Sequence, residues 1–151
     1  MISVNYSVVC GEELSEFQAM NLIQKPEIKK AALQKREDSL IEVAFSERAE
    51  AIFFAETLKN ESISFDFYGY SKGTDLPFLW KYRKETGKEK KLFGQLHGEA
   101  ESDIDTVIPT QVLIDWVLKE HFLNKKALLL HLNDYLFSNV DFPSLETNQK
   151  S

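Results

Sequence analysis

The stretch of sequence that decides the fold is residues 40–68, LIEVAFSERAEAIFFAETLKNESISFDFY. Residues 40–45 are a short apolar run with Ile41, Val43 and Phe45 on one face, and apolar and polar side chains alternate over residues 63–68. Both patterns are typical of a strand. Between them, residues 47–59 are apolar around most of a helical circumference, and such a helix is usually buried on more than one side. Ser46 is placed to cap this helix. The stretch therefore predicts a β-α-β unit.

The sequence on either side of this unit predicts further strands. Residues 78–82 alternate aromatic with aliphatic or basic side chains, a Thr-Gly pair at 86–87 suits a hairpin tip, and residues 92–96 suit the returning strand. Residues 2–8 alternate in the same way. These patterns predict a mostly antiparallel sheet of about five strands, with the last three arranged as a meander.

Helical spacing of apolar residues predicts the remaining elements. One helix is predicted over residues 12–24, and a second or kinked helix over 26–37, since proline is tolerated at a helix start. Two further helices joined near Asn124 predict a C-terminal helical hairpin. The predicted fold class is α+β, with a single domain over residues 1–140, helices packed on the sheet, and an irregular tail over 141–151.

Length and composition fit a folded domain. The chain has 151 residues, of which 43% are hydrophobic and 12% aromatic, too many for a disordered sequence. No apolar run approaches the roughly 18 residues that span a bilayer, and residues 1–6 lack the regions of a signal peptide. The lone Cys10 excludes an internal disulfide framework and is predicted to be a small buried side chain. We therefore expect a cytoplasmic protein that does not enter a membrane.

Charge is distributed unevenly along the chain. Its 24 acidic and 18 basic residues give a formal net charge of −6. Residues 81–91 contain six bases against two acids, so this stretch carries +4 and the remainder −10. The six bases, called the basic hairpin below, are Lys81, Arg83, Lys84, Lys88, Lys90 and Lys91. They suit a solvated tip that discourages edge pairing, a protein-partner surface or a nucleic-acid surface, and the acidic remainder argues against nucleic acid.

The densest run of acids is the main candidate for partner binding. It is called the acidic stretch below and comprises Glu99, Glu101, Asp103 and Asp105. Because these residues alternate, an extended segment would align their carboxylates on one side. Such a row suits a basic partner protein or the oxygen ligands of Mg²⁺ or Ca²⁺, but Gly98 precedes the acids instead of lying among them as in a calcium loop. We expect a protein contact here and no metal or cofactor.

Two tyrosines are further interface candidates. Tyr68 and Tyr70 fall on the strand face opposite Phe65 and Phe67. If helices cover only one side of the sheet, this face is exposed, and tyrosine is enriched at protein interfaces.

Compact catalytic motifs are absent from the sequence. It contains no G-x-S-x-G elbow and no glycine-rich phosphate loop. The histidines are His97, His121 and His131, and their spacing does not place two of them on one helical face as zinc proteases require. His97 could act as a general base with Glu99 or Asp103 nearby, which keeps an enzyme or small-ligand domain with a dispersed site open.

These features together favour a binding module over an enzyme. We expect a small acidic protein that neutralises or regulates a partner protein, for example a bacterial immunity protein that inhibits a basic toxin nuclease. The alternatives are an enzyme or small-ligand-binding domain with a dispersed site near His97, and a subunit of a homo- or hetero-oligomeric assembly.

Overall fold

The structure, a computed structural model, describes residues 6–70, 77–95, 106–109, 137 and 140–145. In chain order these residues form β1 (Tyr6–Cys10), α1 (Glu16–Leu22), β2 (Ala31–Lys35), β3 (Ile41–Phe45), α2 (Arg48–Asn60), β4 (Phe65–Tyr70), β5 (Pro77–Arg83), β6 (Lys88–Gln95) and β7 (Thr106–Pro109). In this part of the chain, neither helix has the length and hydropathy that a membrane span requires.

The described strands form one sheet in the order β2-β3-β1-β4-β5-β6-β7. Neighbours are antiparallel except β6 and β7, which are parallel, so the prediction of an α+β fold with a mostly antiparallel sheet is confirmed. β3 and β4 both run antiparallel to β1, so they are parallel to each other with β1 between them. The predicted β-α-β unit is therefore present as β3-α2-β4, split by an inserted central strand.

Two strands were not predicted, and one predicted helix is wrong. The proposed helix over 26–37 contains β2, which forms a hairpin with β3: Arg36 N–H donates to the Leu40 carbonyl at 2.8 Å. Pairing with a buried neighbouring strand outweighs the weak helical spacing of this segment. β7 is the second additional strand. The predicted C-terminal helical hairpin lies outside the described residues.

The helix ends also differ from the prediction. α1 is shorter than the predicted 12–24, because Ser15 caps it and Gln18 completes a reciprocal capping box. α2 closely matches its prediction, but its N-cap residue is Glu47 and makes no side-chain cap bond, so the assignment of Ser46 as the cap was wrong.

The hydrophobic core fills the space between the helices and one side of the sheet, called the helix face. Alternation along the strands places the aromatic residues there, as predicted from residues 63–68 and 78–82. The buried side chains at its centre are Val8, Val43, Phe45, Ala51, Phe54, Ala55, Leu58, Phe65, Phe67, Phe78 and Trp80. The aromatic rings contact one another. The ring centroids of Phe45 and Phe54 are 5.5 Å apart, and those of Phe65 and Trp80 are 5.0 Å apart in an edge-to-face arrangement. Each such buried ring contributes about 1.5–3 kcal/mol.

The opposite side of the sheet, called the reverse face, is partly covered as well. Residue 137 and residues 140–145, together called the C-terminal segment, place Phe142 and Leu145 in buried positions. Leu145 packs with Val9 and Leu40, and half-buried Tyr68 lies against this cluster. Residues 140–145 contain turns and bends without helix or strand. The division into residues 1–140 and a 141–151 tail stays a prediction.

The consecutive phenylalanines of α2 provide a test of this packing. Phe54 has no solvent exposure, whereas Phe53 is half-buried at the margin of the core. We expect Phe54→Ala to lower the free energy of unfolding by about 3–5 kcal/mol, because it leaves a cavity against Phe45. Phe53→Ala is the matched control and should cost clearly less. Urea denaturation of both variants measures the difference, and equal losses would contradict this account.

Candidate functional site

The tyrosine pair predicted as an interface lies at β4. Tyr68 points to the reverse face, as alternation predicted, but it is half-buried against the C-terminal segment. Its hydroxyl lies 3.4 Å from Glu42 Oε2, which also accepts a hydrogen bond from Ser7 Oγ. Burial raises the pKa of Tyr68, and the nearby Glu42 carboxylate raises it further. Tyr70 ends β4, and its side chain falls outside what the structure describes.

The basic hairpin is continuous in sequence but does not form one surface. Lys81 and Arg83 point to the reverse face and are buried. Lys84 and Lys88 are exposed and form ion pairs. Lys84 Nζ lies 3.8 Å from Glu13 Oε2, and Lys88 Nζ lies 3.9 Å from Asp141 Oδ1. The two remaining lysines are half-buried on opposite faces of β6, because strand alternation separates neighbouring side chains. The six cations therefore do not lie on one surface that a partner could contact.

Arg83 links the sheet to the C-terminal segment. Its guanidinium is 1% exposed, with Nη1 donating to the Phe65 carbonyl at 3.0 Å and lying 2.9 Å from Asp66 Oδ1. Nε donates to the carbonyl of Pro143. Close by, the ammonium of Lys81 lies 5.0 Å from the centre of the Phe137 ring. The sequence could not distinguish these two buried cations from solvated ones, because the chain that covers them lies more than fifty residues away.

Removing Arg83 should loosen this attachment. We expect Arg83→Met to lower the free energy of unfolding by about 3 kcal/mol, because the Asp66 carboxylate loses its buried cation and the Pro143 carbonyl loses its donor. Lys84→Met removes the adjacent exposed cation and should stay within about 0.5 kcal/mol of the parent protein. Urea denaturation compares the two. A loss for Arg83→Met no larger than that for Lys84→Met would show that this network contributes nothing to stability.

A polar cleft lies on the helix face beside the end of α2. Its volume is about 250 Å³, and it is lined by Glu56, Lys59, Asn60, Trp80, Glu89 and Lys91. Glu89 is the hub: Oε1 accepts from Trp80 Nε1 at 2.8 Å, and Oε2 accepts from the Lys59 ammonium. Lys91 lies over the Trp80 ring, 4.5 Å from its centre. The sequence does not reveal this cluster, since Lys59 and Glu89 are thirty residues apart and no local pattern connects them.

The protonation of Glu89 follows from these contacts. Burial alone would raise the pKa of Glu89, but hydrogen bonds from Lys59 and Trp80 and the charges of Lys59 and Lys91 outweigh it. The net result is a pKa below the ordinary value of 4.5. Glu89 is therefore charged at neutral pH and holds α2 against β5 and β6.

This lowered pKa predicts how stability depends on pH. A carboxylate whose pKa is lower in the folded state stabilises the protein above its unfolded pKa, and that contribution is lost as the pH falls through the folded value. We expect Glu89→Gln to cost about 1 kcal/mol at pH 7 and less at about pH 3. Urea denaturation at both pH values measures this. Glu56→Gln, an exposed carboxylate of the same cleft, is the control, and a cost of Glu89→Gln that does not change with pH would contradict the assignment.

The acidic stretch and His97 lie outside the described residues. The strands that flank them are described: β6 ends at Gln95, and β7 begins at Thr106. Cys10 is fully buried at the end of β1, as predicted. Burial raises the pKa of its thiol, and the Glu42 carboxylate raises it further, so Cys10 stays protonated and unreactive.

Within the described part of the chain, no three histidine, cysteine or carboxylate side chains gather as a metal centre requires. No protein-family model, curated protein or solved structure matches this chain.

Proposed function

We propose that this protein is a binding module that neutralises or regulates a partner protein with a basic surface. The observation that carries the proposal is the position of the acidic stretch in sequence, between two paired strands at one edge of the sheet. The net charge of −6, which becomes −10 outside residues 81–91, gives a basic partner long-range attraction.

The ends of the connection between these strands support a contact role. In the parallel pair, Gln95 lies opposite Pro109 and Leu92 opposite Thr106. Gln95 and Thr106 are thus separated by three residue steps, about 10 Å along the strand direction. The two strand ends between which the acids lie in sequence are therefore held at fixed positions, whereas a segment at a chain terminus would be held at one end only.

The proposed partner is a cationic protein such as a toxin nuclease, which the module would hold inactive in the cytoplasm. Carboxylates facing lysines and arginines accelerate encounter and disfavour partners of the wrong charge. In this proposal the protein catalyses no reaction itself.

Charge reversal tests the proposal. We expect the variant carrying Glu99→Lys, Glu101→Lys, Asp103→Lys and Asp105→Lys to associate about tenfold or more slowly with the partner and to bind it more weakly. The partner is first identified by a tagged pull-down from the native host, and rate constants are then measured by surface plasmon resonance at two salt concentrations.

A matched variant separates this site from overall charge. Glu12→Lys, Glu27→Lys, Glu37→Lys and Glu61→Lys change four exposed acids elsewhere and alter the net charge equally. An equal effect of both variants would show that the acidic stretch is not the contact. A pull-down that retains no basic protein would contradict the proposed function itself.

A further inference from the structure

Among the described strands, β2 is the outermost at the edge of the sheet opposite β7. In an antiparallel pair, alternate residues exchange hydrogen bonds with the partner strand, while the residues between them turn their backbone groups outward. Since Arg36 bonds to Leu40, the register makes Ala32 and Gln34 the bonded residues of β2. The N–H and C=O groups that turn away from β3 belong to Ala31, Leu33 and Lys35. No strand among the described residues pairs with this outer side, called the β2 edge.

Lysines lie at both ends of the β2 edge. Lys29 and Lys30 precede the strand, Lys35 ends it, and all three side chains are exposed. The chain leading into β2 is held in place, because the backbone N–H groups of Lys29 and Lys30 donate to Glu50 Oε1 at 3.0 and 3.2 Å. These cations therefore extend from a fixed backbone beside the outward hydrogen-bonding groups.

An apolar area lies on α1, the helix that packs against β2. This helix buries Ala19 and Leu22. Its other side leaves Phe17 75% exposed and Met20 43% exposed. Side chains three residues apart are neighbours on a helix surface, so the two form one small apolar area.

We propose that the β2 edge binds an extended, acidic segment of a partner protein, which adds to the sheet as a further strand. The outward backbone groups supply main-chain hydrogen bonds, and side-chain contacts supply specificity, as in other strand-addition complexes. Carboxylates on the segment would meet Lys29, Lys30 and Lys35, and an apolar side chain would meet Phe17 and Met20. Lysines commonly protect edge strands from pairing, and the same charges admit an acidic strand while repelling a basic one.

The probe for a binding test is the capped peptide Thr-Glu-Val-Glu-Phe-Glu-Val-Glu-Thr, with the corresponding Lys-for-Glu peptide as its counterpart. We expect the acidic peptide to shift the amide resonances of residues 31–35 in a two-dimensional NMR titration. It should also slow hydrogen exchange at Ala31, Leu33 and Lys35, because their N–H groups gain acceptors. The basic peptide should produce neither effect. Equal binding of both peptides, or no exchange protection with the acidic one, would overturn the proposal.

A proline substitution isolates the backbone contribution. Lys35→Pro removes an outward N–H without removing a β2–β3 hydrogen bond, since proline is tolerated on the free side of an edge strand. Lys35→Ala removes the same charge and keeps the N–H. We expect Lys35→Pro to bind the acidic peptide about tenfold more weakly than Lys35→Ala, a difference of about 1.4 kcal/mol. Equal affinities, with both variants folded by circular dichroism, would exclude strand addition.

The charge contribution is tested without altering the backbone. The variant Lys29→Gln, Lys30→Gln and Lys35→Gln should lose at least about tenfold in affinity, whereas Lys84→Gln, Lys88→Gln and Lys90→Gln, with the same change of net charge, should not. An equal loss in both would overturn the proposal, as would a dimer of this chain that Lys35→Pro dissociates. The variant with the reversed acidic stretch should still bind the peptide, which separates this surface from the proposed function.

Discussion

The structure depends on the hydrogen bonding of β1 between β3 and β4. In the registers observed, Tyr6, Val8 and Cys10 bond to β3, while the intervening residues bond to β4, so the backbone of the buried strand is fully paired. This insertion separates the two strands that α2 connects and places α2 across β1. Among the described strands, β2 lies beyond β3 at one end of the order and β7 beyond β6 at the other.

Packing and sequence pattern agree best where the chain is most buried. The alternation over residues 63–68 and 78–82 correctly predicted the aromatic helix face. Alternate side chains of a strand point to the same side, so only one orientation of these strands turns their aromatic residues toward the apolar helix. β2 had no comparable signal. Ala31, Ala32 and Leu33 are good helix formers, and only pairing with β3 makes this segment a strand.

The candidate sites were harder to predict than the fold, because each depends on residues far apart in sequence. The basic hairpin looked like one cationic surface. Strand alternation divides it, and the C-terminal segment covers Arg83. Likewise, Glu89 acquires its role from Lys59 on another element and from Trp80 on the neighbouring strand. The sequence gives the number of charged side chains in a segment, whereas burial and ion pairing decide which of these side chains can contact a partner.

The two proposed surfaces differ in the physical origin of their affinity. Binding to the acidic stretch would rest on charge, so screening at high salt should remove most of its attraction. Binding at the β2 edge would combine charge from Lys29, Lys30 and Lys35 with backbone hydrogen bonds and with apolar contact at Phe17. Salt weakens only the charge contribution. Anions such as sulfate, which strengthen the burial of apolar surface, favour the apolar contact. A partner of the β2 edge should therefore retain part of its affinity at ionic strengths that release a partner of the acidic stretch.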